Sequence, residues 1–103
     1  MRVIKEIIDD MMNEVSDAEH RIKRAAELKP LYPEISRRES EIAAQELTHA
    51  DKDHSSVMEI IGEYKRTKGD PPECMLEFWN SEHDKYMEKY AQVRCMIDVF
   101  GKG

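Results

Sequence analysis

The chain has 103 residues and a formal net charge of −6, which is enough for one hydrophobic core and too small for two domains. Hydrophobic residues make up 40% and charged residues 37%, a balance typical of helices with one buried stripe and a broad solvated face. No apolar run approaches the ~20 residues of a membrane span. The acidic charge argues against nucleic-acid binding, which needs a concentrated basic face. We therefore expect a single domain with neither a nucleic-acid nor a membrane partner.

The N-terminus and the cysteines indicate the compartment. Residues 1–6 (MRVIKE) turn acidic too early for a secretory signal, so we expect a cytoplasmic protein. Cys74 and Cys95 fall on one predicted helix, and at ~1.5 Å rise per residue they lie ~30 Å apart, beyond disulfide reach. They are expected to be free thiols, as is usual in a reducing compartment.

Hydrophobic periodicity predicts three helices in a single domain, at about 3–28, 34–67 and 71–100. The first helix carries one apolar stripe, formed by Ile4, Ile8, Met11, Val15, Ala18, Ile22 and Ala25. The second carries a heptad seam, formed by Ala43, Leu47, Ala50, His54, Val57, Ile61 and Tyr64. The third carries a similar seam, formed by Trp79, His83, Tyr86, Tyr90, Val93, Ile97 and Phe100. These patterns predict an all-α fold.

The two breaks contain residues that end and start helices. In the first, Pro33 suits the first turn of helix two, whereas Ser36 followed by Glu39 also matches a capping box. In the second, Gly69 is expected to take the left-handed conformation that closes helix two. Because short connections force antiparallel neighbours, we expect an up-down-up three-helix bundle.

Helix two has a second stripe beside its seam, so a wide arc of the helix surface is suited to burial. The stripe consists of Glu39, Ile42, Glu46, His49, Asp53, Val57 and Ile60. A wide arc needs more cover than two neighbouring helices give. We therefore expect a homodimer that forms a larger bundle.

A Glu-x-x-His pair, Glu46 and His49, is the most informative motif. Residues three apart share a helix face, so this carboxylate and imidazole can hold one ion together. Counting outward from the first break places Glu19 within about one turn of Glu46. Such ligands suit iron, manganese or zinc, and helix bundles use them to hold bridged metal ions. This first layer is a predicted metal site, unless Glu46 and His49 straddle a helix edge and bond to solvent, Lys or Arg.

A second polar layer, a weaker metal candidate, contains Asp53, His54, Glu82 and His83. His54 stands about as far before the second break as His83 stands after it, so both rings are expected in one layer. The alternative is that paired core histidines fix the helix register without binding anything.

The segments 17–20 (DAEH) and 45–50 (QELTHA) resemble the ferritin-like superfamily, specifically its short rubrerythrin-type members. In that superfamily a first-helix glutamate and a second-helix Glu-x-x-His form half of a di-iron site, which the resemblance maps to Glu19, Glu46 and His49. A self-sufficient member has four helices and a second such set. The resemblance therefore implies either that two chains complete the site or that the site has decayed.

The stretch through the turn at 69–72 (GDPP) also resembles small uncharacterised helical proteins of phages and prophages of Gram-positive bacteria. This second resemblance covers most of the chain and implies no activity. Two functions stay open. The first is a ferritin-like protein that binds iron or another divalent metal, with a dimer interface as one location for the site. The second is a non-catalytic acidic module for protein–protein interaction, directed at a host factor. The sequence has no nucleophile motif or glycine-rich phosphate loop, and whether the protein is an enzyme is left open.

Overall fold

A computed structural model describes residues 4–67, 69, 73, 77 and 81–102, and these contain no strand. The helices are α1, Ile4–Leu28, α2, Pro33–Thr67, and α3, His83–Lys102. The predicted all-α class is confirmed. The predicted start of the third helix at 71 lies outside the described residues, as do Cys74 and Trp79.

The turn between α1 and α2 is held by backbone hydrogen bonds around Tyr32. Its amide donates to the Leu28 carbonyl at 2.7 Å, and its own carbonyl accepts from the Ser36 amide at 2.9 Å. Pro33 is the first residue of α2, where its missing N–H costs nothing. Ser36 does not cap α2, because its buried hydroxyl donates to the Ala25 carbonyl of α1 at 2.5 Å. The proline start is therefore the one the protein uses.

The buried residues lie along the predicted stripes. Among the described stripe and seam positions, almost all side chains without polar groups are buried, and Ile7 is buried with them. Four alanines, Ala18, Ala25, Ala43 and Ala50, are completely buried. Small side chains allow helix axes to approach closely. The core thus lies mainly between α1 and α2, and Tyr86, Val93 and Ile97 of α3 pack onto it.

Contacts between helices set their relative directions. Between α1 and α2, Ala25 meets Ser36 and Arg21 meets Glu39 at 3.2 Å, so residue numbers fall on one helix as they rise on the other. Between α2 and α3, the Tyr86 hydroxyl donates to the Ala50 carbonyl at 3.3 Å. The Ala25–Ser36 and Arg21–Glu39 pairs therefore show which residues of α1 and α2 lie at the same height along the two helices.

Three further observations bear on the sequence predictions. Gly69 has a φ of 88° just after α2 ends, which confirms its left-handed closing position. Cys95 is an exposed free thiol. Within the described ranges, no helix combines the length and the apolar character needed to cross a membrane.

Candidate functional site

Glu19, the predicted first-helix ligand, is held by lysines. One carboxylate oxygen pairs with Lys89 of α3 and the other lies 3.7 Å from Lys23. These cations, Lys89 first, lower the pKa of Glu19. Glu19 therefore ties α1 to α3 in the structure, and a metal ion would have to displace Lys89 to reach it.

Glu46 and His49 lie on one face of α2, as the Glu-x-x-His spacing requires. Glu46 is half-buried, whereas His49 is exposed. The charge of Glu46 acts on Glu14 of α1, so the acidic neighbour of Glu46 across the α1–α2 interface is Glu14. Glu46 of the motif thus acts on a carboxyl group of α1 that the sequence prediction did not include.

The side chain of Asp53 on α2 lies close enough to Glu14 on α1 to hydrogen-bond with it when one of the two carboxyl groups is protonated. Two carboxylates can bond in this way only when they hold a proton between them. Burial, then the bond to Asp53 and the charges of Asp53, Glu46 and Asp10, raise the pKa of Glu14 to about 8. Its Oε2 atom is buried and has no hydrogen-bond partner among the residues that the structure describes. Three neighbouring acids on the two helices therefore act on Glu14.

Glu14 could have been found from the sequence. It stands three residues after Met11 and four before Ala18, both completely buried, so it lies on the edge of the α1 stripe. A charged residue in that position needs a partner. Counting across the first turn then places it level with Glu46.

His54 and His83, the histidines of the second layer, meet across α2 and α3. Their Nε2 atoms lie 3.0 Å apart in a hydrogen bond, which confirms that the two rings share a layer. One ring donates and the other accepts, so the two nitrogens hold a single proton between them. Asp84 lies 3.8 Å from Nδ1 of His83.

His54 sits in an aromatic environment that favours its neutral form. Its ring lies against Tyr86, with centroids 5.4 Å apart and planes 16° apart. Burial, followed by the neighbouring His83, lowers the pKa of His54, while Asp51 acts in the opposite direction. Burial also raises the pKa of the Tyr86 hydroxyl.

The structure also shows where Glu82, His20 and Asp53 lie. Glu82 is exposed beside His83, and His20 is exposed on α1. Asp53 belongs to the carboxyl pair with Glu14, although it precedes His54 in sequence. Among residues 4–67, 69, 73, 77 and 81–102, no three His, Cys, Asp or Glu side chains are already gathered as a metal site.

An apolar groove runs between α1 and α3 at the end of the molecule that contains the first turn. The groove is open to solvent, has a volume of about 620 Å³ and is lined by Ile22, Lys23, Ala26, Glu27, Lys29, Cys95, Met96, Val99 and Phe100. Val99 is 64% exposed, and the Lys29 ammonium lies 5.1 Å from the Phe100 ring centroid. This is exposed apolar surface beside positive charge.

No protein-family model matches the chain, and neither curated proteins nor solved structures provide a match.

Proposed function

We propose that the protein binds a divalent metal ion such as Fe²⁺ or Mn²⁺ through carboxylates of α1 and α2 and the imidazole of His49. The Glu14–Asp53 pair carries this proposal, with Glu46 beside it. A shared proton is what keeps two converging carboxylates together, and a divalent cation can replace that proton while neutralising more charge. Oxygen-rich donor sets with one imidazole suit these ions.

The position of His49 supports its role as the nitrogen donor. It lies three residues after Glu46 and four before Asp53, so all three share a face of α2. Because the His49 side chain is exposed, it can change rotamer at little cost. The buried Oε2 of Glu14, which has no hydrogen-bond partner within the described part of the chain, would supply a further donor atom.

The proposal includes an up-down-up bundle in a cytoplasmic protein and a second copy of the chain that completes the site. The second stripe of α2 supports pairing, because Ile42, Glu46, Asp53 and Ile60 are only half-buried in the single chain. A paired bundle would cover this stripe and bring two sets of ligands together, the arrangement by which helix bundles hold two bridged ions. Glu19 would join if the metal displaced Lys89.

The test is metal content combined with solution mass. Protein purified without chelator, and metal-free protein titrated anaerobically with Fe²⁺ or Mn²⁺, should bind near-stoichiometric metal. Glu46→Gln and Glu14→Gln should each weaken binding by about tenfold or more, because each removes a charged ligand. The dimer fraction should rise with metal if the ion is shared between chains.

Glu41→Gln is the matched control, since Glu41 is an exposed glutamate of the same helix. Its metal affinity should equal that of the unchanged chain. A chain that takes up neither ion at millimolar concentration, or that binds both equally well in Glu14→Gln and Glu46→Gln, contradicts the proposal.

A second candidate function is protein–protein interaction, and the α1–α3 groove favours it. Exposed apolar surface bordered by charged side chains is typical of docking sites. A partner with an apolar segment and acidic flanks would fit beside Lys23 and Lys29. Val99→Lys should abolish retention of such a partner from host lysate, whereas Glu46→Ala should not affect it. A lysate in which the chain retains no partner counts against this function.

A further inference from the structure

The His54–His83 pair joins α2 to α3 through two imidazole nitrogens 3.0 Å apart. Neutral imidazole is the commonest protein ligand for transition metals. We propose that this pair, with the carboxylate of Asp51, is a second metal site that takes a borderline divalent ion such as Ni²⁺ or Zn²⁺. It uses none of the side chains of the carboxylate site proposed above, so either site can exist without the other.

The separation of the nitrogens fits two adjacent ligands on one ion. With metal–imidazole bonds of ~2.0–2.1 Å, two nitrogens 3.0 Å apart subtend about 95° at the metal. This is close to the right angle of square-planar or octahedral coordination, the geometries that Ni²⁺ adopts with nitrogen and oxygen ligands. A tetrahedral Zn²⁺ requires only a few tenths of an ångström more. The α2 and α3 backbones therefore need little movement.

The rings must turn to receive the ion. Their centroids lie 5.2 Å apart, with planes 28° apart, so the centroid separation exceeds the nitrogen separation by about two ring radii. The two Nε2 atoms therefore point almost directly at each other, as in a hydrogen bond. Rotation of each ring about χ2, which is a broad torsion in histidine, would turn the Nε2 lone pairs toward an ion that lies beside the line between the two nitrogens. As the ion binds, the donor ring gives up its Nε2 proton to solvent and takes one up at Nδ1, so both rings bind as neutral imidazoles.

Asp51 is the third donor. It lies three residues before His54 and so shares its helix face. Its charge acts on both His54 and Tyr86, which places it near the pair. The Asp51 side chain is exposed and is therefore free to rotate. The site thus has two nitrogens in place and one oxygen that is recruited when the ion arrives.

Neighbouring groups prepare the nitrogens for an ion. The Tyr86 ring of α3 lies against the His54 ring of α2, which keeps His54 beside α3. Asp84 near Nδ1 of His83 favours the tautomer with the proton on Nδ1, which leaves Nε2 as a lone-pair donor. An acid behind the imidazole is the usual support for a metal-binding histidine.

The test is titration with Ni²⁺ at pH 7.5, in a chain with Cys74→Ser and Cys95→Ser so that thiols do not bind the ion. We expect saturation at micromolar Ni²⁺. His54→Gln and His83→Gln should each weaken binding by at least about tenfold, and Asp51→Asn should weaken it by a smaller factor. Saturating Ni²⁺ should raise the Tm by several degrees, because the ion links α2 to α3.

His20→Gln is the matched control, since His20 is an exposed histidine of α1, and it should keep the Ni²⁺ affinity of the parent chain. Circular dichroism verifies that each variant is helical. An unchanged Ni²⁺ affinity in the His54→Gln/His83→Gln double variant, or no saturation below millimolar Ni²⁺ in the parent, overturns the proposal and leaves a pair that holds only a proton. Mn²⁺ titrations of Glu14→Gln and Glu46→Gln report on the carboxylate site separately.

Discussion

Glu19 and Lys89 form an ion pair that joins α1 to α3, and this pair changes the composition of the candidate site. The glutamate expected to face Glu46 is occupied by a cation from the third helix. The α1 carboxyl group on which the charge of Glu46 acts is instead Glu14. Glu19 is therefore a structural acid, whereas Glu14 and Glu46 are the candidates for binding a metal.

Lys89→Met should release Glu19 without removing the apolar stem of the side chain. We expect a loss of about 0.5–1 kcal/mol of unfolding free energy, as for a partly exposed ion pair. The pKa of Glu19, now lowered chiefly by Lys89, should rise toward its ordinary value. Urea denaturation and carboxyl NMR titration measure the two effects. Lys85→Met, which changes an exposed lysine of α3, should leave the pKa of Glu19 where it is.

Glu14→Gln should stabilise the protein at pH 8 and leave it nearly unchanged at pH 5. The pKa of Glu14 is raised from 4.5 to about 8 in the folded chain, so the unfolded chain binds fewer protons between these values and stability falls as pH rises through that window. Glutamine donates an N–H to Asp53 at any pH. We expect a gain of about 1–2 kcal/mol at pH 8, less than the full shift implies because Glu14 is partly solvated.

Urea denaturation in EDTA at pH 5, 6, 7 and 8 measures this effect. Glu27→Gln, at an exposed position of the same helix, serves as control and should keep the pH slope of the parent chain. A parent chain whose stability rises steadily from pH 5 to pH 8 would show that Glu14 is ionised throughout.

His54→Leu/His83→Leu should fold and should resist acid better than the parent chain. The pKa of His54 is lowered by burial and by His83, so the unfolded state binds the extra proton and stability falls as pH drops below the unfolded value of ~6.5. Replacing a buried polar pair with apolar residues of similar volume is often neutral or stabilising. Thermal unfolding at pH 5 and pH 7, in EDTA, should show a smaller difference in Tm for the double variant. Collapse of the helical fold would instead show that the pair is needed for α3 to pack.

Ser36→Ala should cost about 1 kcal/mol of unfolding free energy, because it removes the buried hydrogen bond to Ala25. The cost stays modest because the Ala25 carbonyl still accepts from the Lys29 amide at 3.0 Å. Ser56→Ala is the matched control, since that exposed hydroxyl bonds only within its helix, to the Lys52 carbonyl at 3.1 Å. Equal urea midpoints for the two variants would contradict the structural role of Ser36.

The meeting of His54 and His83 could be predicted from the sequence, whereas the partner of Glu19 could not. Both histidines occupy seam positions next to one break, so periodicity gives their direction and residue counting gives their level. Glu19 lies beside the α1 stripe, at a position that either neighbour can reach. Which neighbour it contacts depends on the rotation of α3 about its own axis, which the pattern on α1 does not contain. Lys89, a flexible cation outside the α3 seam, is the residue that forms an ion pair with Glu19.

The four buried alanines between α1 and α2 have a consequence for the order in which the molecule opens. Closely packed backbones exclude water from the helical hydrogen bonds along both helices. Contacts between α1 and α2 are also far more extensive than those of either helix with α3. Amide protons at Ala18 and Ala50 should therefore exchange with deuterium only on global unfolding. Amides of α3 should exchange sooner, through opening events in which the α1–α2 hairpin remains intact.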